Sequence, residues 1–221
     1  MDIILKYFSE FTDEQLKQFA ALDELYKKWN DKINVISRKD IDCLYEKHVL
    51  HSLSIAAVFN FASSSEIVDL GCGGGFPGVP LAIFFPNVHF HLVDSIAKKL
   101  KVVDEISNAI GLKNISTQHS RIEDIRNRKF DFVISRAVAP LKDLWRWSKP
   151  LIADGRKLKA AGKVPHEVLD EPNSAPGLIC LKGGDLAKEI QESLTRPHVL
   201  PINEIFEEPF FEKKYLVYVK R

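Results

Sequence analysis

The sequence predicts an α/β fold: a mostly parallel seven-stranded sheet with helices on both faces and an antiparallel pair of strands at its C-terminal edge. A helical stretch precedes it. Three observations predict this. After residue 65, short apolar runs alternate with helical patterns, and such alternation implies right-handed crossovers between parallel strands. The last two apolar runs are separated by too few residues for a parallel crossover, which needs a dozen or more. The first sixty residues carry helical periodicity alone.

The bulk properties agree with this class. The chain has 221 residues, 45% hydrophobic and 28% charged, which excludes a disordered, collagenous or disulfide-scaffold protein. The length predicts a domain at 61–221 with an N-terminal helical extension, 1–60, packed on its core. Lys plus Arg is 31, Asp plus Glu is 30, and the net charge is +1. Cys43, Cys72 and Cys180 are widely spaced and odd in number, the pattern of free thiols in a reducing compartment. No Cys/His cluster predicts a metal, and no apolar run of 18 residues predicts a membrane span. The expectation is a cytoplasmic, monomeric protein.

The elements follow in order. Thr12 and Gln15 have capping-box spacing. Leu16, Phe19, Ala20, Leu22, Leu25, Tyr26 and Trp29 then recur at helical intervals, and Asn30-Asp31 ends the pattern. A second helix is expected from about Asp40, with Ile41, Leu44, Tyr45, His48 and Leu53 on one stripe. Residues 1–60 hold eight basic and ten acidic residues, so they form no polybasic arm. The break at 62–65 precedes a first strand, 66–70. A glycine loop then opens a helix to about Phe85, and Pro86-Asn87 turns the chain. Strand two is 89–94, followed by a helix over 95–110 that Gly111 ends. Strands three and four are expected near 114–119 and 130–135, and a helix starts at Pro140. Residues 154–176 read as irregular, strand five as 177–182, and a further helix runs to about Leu194. The closing strands are expected at 200–206 and 215–220. Seven strands with an antiparallel edge pair resemble the class I methyltransferase (Rossmann-like) sheet more than a plain dinucleotide-binding sheet.

The run from Asp69 to Gly78 is the most informative. Open α/β sheets bind ligands beyond the carboxyl ends of their strands, and glycines there let backbone approach a ligand closely. Gly73-x-Gly75-x-x-Gly78 fits the dinucleotide pattern, but Pro77 stands where a pyrophosphate-binding helix would start. Asp69-x-Gly71-x-Gly73-x-Gly75 fits the S-adenosyl-L-methionine motif DxGxGxG. An acid at a strand end suits the cationic sulfonium and ammonium of that cofactor better than it suits a pyrophosphate. The reading is therefore S-adenosyl-L-methionine, with Asp69, Gly71, Gly73 and Gly75 as cofactor-binding residues.

Asp94 closes strand two, 23 residues beyond Gly71. It is placed to accept the ribose hydroxyls, or alternatively to cap the next helix. After strand three, the backbone of Ile122 and Glu123 is a candidate reader of the adenine edge, the other reading being a solvated charged turn. Ser135-Arg136-Ala137 ends strand four, where the reacting methyl should point, and Arg136 is the candidate catalytic residue. No DPPY or NPPF motif follows. That argues against methylation of an exocyclic amine, which must lose a proton, whereas guanine N7 carries none.

Several segments together resemble a known family. They are Leu25-Tyr26-x-x-Trp29-Asn30-x-x-Ile33-Asn34-Val35, His48-Val49-Leu50-His51-Ser52-Leu53, Phe76-Pro77-Gly78-Val79-Pro80-Leu81-Ala82-Ile83, Leu92-Val93-Asp94-Ser95 with Lys98-Lys99, and Ser135-Arg136-Ala137-Val138-Ala139. Through them the chain resembles the RsmG (GidB) family, the bacterial small-subunit rRNA guanine-N7 methyltransferases, over nearly its whole length. The resemblance implies cofactor contacts at Gly71, Phe76, Ile122, Glu123 and Arg136, with Asp94 on the ribose. It implies 16S rRNA or the 30S particle as partner, with Arg136 serving either guanine O6 or the cofactor carboxylate. Three departures stand out: His51 where the family commonly has Asp, Ile122 where a small residue is expected, and a longer connection over 162–176.

An RNA enzyme needs phosphate contacts. Lys142, Arg146, Lys149, Arg156, Lys157, Lys159 and Lys163 form the dense basic stretch, with Trp145 and Trp147 among them. It reads either as an RNA surface or as a solvated helix face. A small-molecule methyltransferase and a non-catalytic, cofactor-binding RNA module are the alternative functions.

Overall fold

The computed structural model describes residues 1–154 and 175–221. Its seven strands are β1 (Glu66–Leu70), β2 (His89–Asp94), β3 (Ile115–His119), β4 (Phe132–Arg136), β5 (Gly177–Gly183), β6 (His198–Pro201) and β7 (Lys214–Lys220). They form one sheet in the order β3-β2-β1-β4-β5-β7-β6. β1 to β5 pair in parallel, and β7 runs antiparallel to both β5 and β6. The mostly parallel sheet with its antiparallel edge is thus as the strand spacing predicts. β1 lies between β2 and β4, so successive crossovers leave it in opposite directions. That makes the carboxyl ends of β1 and β4 the topological switch point, where such sheets open a crevice.

The helices are α1 (Asp2–Leu5), α2 (Asp13–Asn30), α3 (His51–Val58), α4 (Gly78–Phe84), α5 (Ala97–Ala109), α6 (Leu141–Ser148) and α7 (Ala187–Ser193). Thr12 caps α2 through the expected box: its Oγ1 accepts from Gln15 N, and the Gln15 side chain accepts from Thr12 N. Gln15 does more than cap. Its Nε2 donates to the carbonyls of Ile83 and Phe84 at the end of α4, which lack helical partners. The buried face of α2 is Gln15, Phe19, Leu22 and Tyr26, whereas Ala20 is exposed. The helix expected from Asp40 begins as a single 3₁₀ turn, Ile41–Cys43, and passes through a π-helical stretch, Tyr45–Leu50, into α3.

Period-two alternation divides the core between the two faces of the sheet. On one face Ile67, Phe90, Leu92, Phe132, Ile134, Ile179 and Tyr218 pack against α2 to α5. On the other, Val68, Leu70, Val133, Leu178, Cys180 and Val219 pack against α6 and the segment around Leu186. α4 and α5 follow β1 and β2 and contact β2 and β3, so they leave the first face bare over β4, β5 and β7. The end of α3 fills that gap. Phe59 meets Phe132 at 6.1 Å and Tyr218 at 5.3 Å between ring centroids, and Phe61 meets Phe132 at 5.0 Å.

Two strand positions differ from expectation. β6 ends at Pro201, and Ile202–Glu204 makes a 3₁₀ turn that buries Ile202; the apolar run beyond 201 caps the core instead of extending the edge. β4 starts at Phe132, because Phe130 makes an isolated parallel bridge with Ile152. Of the expected irregular stretch 154–176, residues 155–174, with Gly162 and Pro165, lie outside the described residues.

Removing the ring that joins α3 to the sheet should be costly. Phe59→Ala is expected to destabilise the chain by about 3–5 kcal/mol, the usual range for a buried aromatic truncated to alanine. Urea unfolding measures this, and a loss below about 1 kcal/mol would mean that α3 is not anchored there.

Candidate active site

At the switch point the backbone of the glycine loop is held by groups on three elements. Gly71 N and Cys72 N donate to Val93 O of β2 at 2.8 and 3.1 Å. Gly73 N donates to Asp94 Oδ2 at 2.9 Å, and Gly78 N to Asp69 Oδ2 at 2.9 Å. From α2, the buried Tyr26 hydroxyl donates to Gly74 O at 2.7 Å. Gly71, Gly73 and Gly75 have φ of +70°, +56° and +99°, the left-handed region that glycine adopts freely.

Above the loop lies a cavity of about 540 Å³, within the range of small-molecule sites. Of the nine candidate residues, seven line it: Gly71, Gly73, Phe76, Asp94, Ile122, Glu123 and Arg136. Asp69 and Gly75 do not. Asp69 is fully buried beneath the loop. Burial pushes its carboxyl up to about 7, opposed by the Gly78 N–H bond and the charge of Arg136. It therefore shapes the loop from beneath and does not line the cavity. At Gly75 a Cβ would lie 2.6 Å from Val79 Cγ2 and 3.3 Å from the Tyr26 hydroxyl, so this glycine serves packing. A Cβ on Gly73 meets nothing within 4 Å; it would project into open space.

Asp94 lies at the cavity wall and also holds backbone on both sides of it. It lines the cavity while accepting from Gly73 N and, through Oδ1, from Ile96 N at 2.8 Å, just ahead of α5. An ionised carboxylate has about four acceptor positions, so two remain for a ligand.

Arg136 occupies the far wall. Its guanidinium lies 5.0 Å from the centre of the Phe76 ring and donates through Nη2 to His48 Nδ1 at 3.0 Å. Phe76 in turn meets Tyr26 at 4.8 Å and His48 at 5.0 Å. Burial lowers Arg136 to about 10, with Asp69 opposing. Burial and the Arg136 charge lower His48 from 6.5 to about 3. A neutral imidazole accepting at Nδ1 carries its proton on Nε2. Periodicity placed His48 and Tyr26 only on helical stripes; what separates them from ordinary core residues is the acceptor or donor each meets across the fold. Val35, Lys99 and Val138 also line the cavity; each lies in a segment that carries the family resemblance, which marks none of them as a cofactor contact. His51 is buried near Phe210 and Phe211, 5.7 and 6.0 Å between centroids, apolar surroundings that suit a neutral ring.

Of the basic stretch, Lys142, Arg146 and Lys149 are exposed on or just after α6, and Arg146 pairs with Asp143 at 3.2 Å. Arg156, Lys157, Lys159 and Lys163 lie outside the described residues. Cys72 and Cys180 are buried free thiols and Cys43 is a half-buried one. Among the described residues no group of three His, Cys, Asp or Glu is placed to hold a metal ion, and no helix is long and apolar enough to cross a membrane.

Two outcomes test this geometry. Gly73→Val should abolish ligand binding at the cavity in calorimetry, because its side chain enters open space there, and its melting should fall only through the strain of a side chain at φ +56°. Gly75→Ala should instead lower the melting temperature through its clash with Val79. Equal effects of the two would contradict the division of roles. The second test uses pH. Between pH 6.5 and 3 the unfolded chain holds a proton on His48 that the folded chain lacks, so stability falls as pH drops through that window. His48→Gln should flatten the slope of urea-unfolding stability below pH 6.5; an unchanged slope would mean His48 is protonated in the fold.

Comparison with known proteins gives three findings. The profile of the family described as "rRNA small subunit methyltransferase G" (GidB) matches residues 13–176. The chain is 52% identical over 219 residues to the Ribosomal RNA small subunit methyltransferase G of Bacteroides fragilis, covering 99% of both chains, and 53% identical over 218 residues to that of Bacteroides thetaiotaomicron, covering 99% of this chain and 98% of the relative. Among solved structures, a SAM-dependent methyltransferase from Aquifex aeolicus superposes with a TM-score of 0.54 at 14% identity, over 83% of this chain and 98% of that one; this likeness concerns the fold.

Proposed function

The chain belongs to the rRNA small subunit methyltransferase G family, and from that premise we propose that it transfers a methyl group from S-adenosyl-L-methionine to N7 of a guanine in 16S rRNA. The observation that carries this reading is the cavity itself. It is roofless over Gly73 and walled by an acid at the end of β2 and a cation at the end of β4. The donor set fits the cofactor. Asp94 keeps two acceptor positions for ribose hydroxyls, Ile122 and Glu123 present backbone to an adenine edge, and the glycine loop admits close approach. Arg136, braced by His48 and lying on Phe76, faces the cofactor carboxylate.

When bound, the cofactor supplies a methyl carbon made electrophilic by its sulfonium. Guanine N7 has a free lone pair and no proton, so no side chain has to act as a base. The chain's part is to hold the two reactants in line and to exclude water. Residues 1–60 act in this reading as an extension packed on the catalytic unit, 61–221. The enzyme works as a monomer in the cytoplasm, on the RNA or on the 30S particle.

The test is transfer of tritium from labelled cofactor to 30S particles, naked 16S rRNA and a pool of small metabolites, followed by nucleoside analysis. Label in 7-methylguanosine from the RNA is expected. Label confined to small metabolites would make it a small-molecule methyltransferase. Saturable cofactor binding with no transfer would make it a binding module. Asp94→Ala should weaken cofactor binding by about 1.5–3 kcal/mol, the range for hydrogen bonds to a charged group. NADH should show no saturable binding, and saturation by NADH would overturn the cofactor assignment.

A further inference from the structure

The cofactor cavity ends at Ala137 and Val138, just after β4, and these two residues also line a second concavity of about 530 Å³ between β5 and α7. A third concavity adjoins the cavity at Ile122 and Glu123, the opposite end, where the proposed adenine lies. A methyl group leaving near Ala137 therefore faces the second concavity. We propose that this concavity seats the acceptor guanine, and that Lys182, Glu189 and Asp185 read its edge. The inference rests on the function proposed above and names the residues that select its substrate.

Lys182 and Glu189 make an uncommon pair. Lys182, near the end of β5, is only 9% exposed. Its Nζ donates to Ala139 O and to Glu189 Oε1. An ammonium has three donors, and the third meets no acceptor among the described residues. Glu189 Oε1 also accepts from Leu141 N, and its Oε2 has no partner among the described residues. Both groups thus spend part of their capacity bracing the 137–141 turn and keep the rest. Ala137 in that turn has φ +53°, a left-handed conformation that alanine rarely adopts. At the rim, Asp185 is exposed and uses Oδ1 to accept from Ala187 N at 2.9 Å.

A cation beside carboxylates matches guanine specifically. Guanine offers O6 as an acceptor next to N7, and on its pairing edge N1–H and an amino group as donors. The free Lys182 proton suits O6, and Glu189 Oε2 with Asp185 suits the two donors. In the same pose adenine would set its amino group against the Lys182 ammonium and an unprotonated N1 against the Glu189 carboxylate, donor facing donor and acceptor facing acceptor. A buried donor such as Lys182 Nζ left facing another donor rejects a substrate strongly.

The charge balance also favours transfer. As N7 bonds to the methyl carbon, the carbon–sulfur bond breaks and its electron pair stays on sulfur. No proton moves, and one positive charge passes from sulfur to the purine ring. The lining holds Asp185, Glu189 and Glu192 against Lys182 and Lys188. Net negative charge where positive charge develops stabilises the transition state.

The test has a binding arm and a rate arm. Isotope-labelled protein saturated with S-adenosylhomocysteine is titrated with guanosine, 7-methylguanosine or adenosine, and backbone amide shifts are followed. Shifts at 137–139 and 182–185 are expected with both guanine nucleosides and not with adenosine. Equal shifts with adenosine, or none at these residues, would overturn the proposal. In the rate arm, Lys182→Met and Glu189→Gln should each slow single-turnover methylation of 30S particles at least tenfold while cofactor affinity stays within twofold. Asp185→Asn, at an exposed position with no core role, should raise half-saturation for 30S particles several-fold if the larger changes unfold the chain. Wild-type rates in all three variants would overturn the guanine site and leave the methyltransferase reading standing. Guanosine shifts without any transfer of label by the wild type would do the reverse.

Discussion

The site depends on one constraint: a loop rich in glycine has no side chains with which to hold itself, so its backbone must be held by others. Two carboxylates near strand ends share this work with the Val93 carbonyl, which accepts from Gly71 N and Cys72 N. Asp69 takes Gly78 N and Asp94 takes Gly73 N. Tyr26 completes the hold at Gly74 O from a helix 48 positions away in sequence. Without those partners the loop would have little reason to prefer one shape, since glycine loses more backbone freedom on folding than any other residue. Here lies the reason the N-terminal helices belong with the sheet. α2 delivers the Tyr26 hydroxyl and α3 covers the face of β4, β5 and β7, so the same segment closes the core and shapes the cavity floor.

A second consequence concerns charge. Asp69, buried beneath the loop, has Arg136 as its nearby cation, and each moderates the other: the arginine draws the acid down while burial pushes it up. His48 must stay neutral beside that guanidinium, and burial ensures it. The result is a cation at the cavity wall whose position is set on three sides, by Phe76, His48 and the Asp69 charge. A preorganised donor of this kind costs no rearrangement when a ligand carboxylate arrives.

How much of this is legible in the sequence varies with the range of the interaction. Strands β1 and β2 have their expected bounds, because alternating burial and flanking turns are local signals. The capping box at Thr12 and the left-handed Gly111, with φ +73°, are local as well. The glycine loop announces a ligand, yet sequence alone assigns Asp69 to that ligand, and the structure puts it underneath. The motif marks which residues the loop needs without separating those that touch a ligand from those that hold the loop. Tyr26, His48, Lys182 and Glu189 lie further from reach. Each draws its role from a partner dozens of positions away or on another element, and periodicity reports only the face a residue occupies. The end of β6 is misjudged for a related reason: Ile202 and Phe206 are apolar because they cap the core, and an apolar run reads the same in either setting.

The division of labour between β4 and β5 follows from these facts. The two strands end side by side, with Arg136 opposite Leu181 in register and Lys182 one residue further along. Each carries a basic residue at its carboxyl end, but the two are satisfied differently. Arg136 is met by a neutral imidazole and an aromatic ring, with the buried Asp69 as its nearby acid, and so stays a cation at the cavity wall. Lys182 is met by a carboxylate, and so presents a hydrogen-bond donor with its charge largely cancelled. An arrangement in which both were unneutralised would oppose a reaction that moves positive charge toward the acceptor. Pairing Lys182 with Glu189 keeps a donor for the acceptor's oxygen while removing that opposition, which is what transfer of a methyl cation equivalent to a neutral base requires.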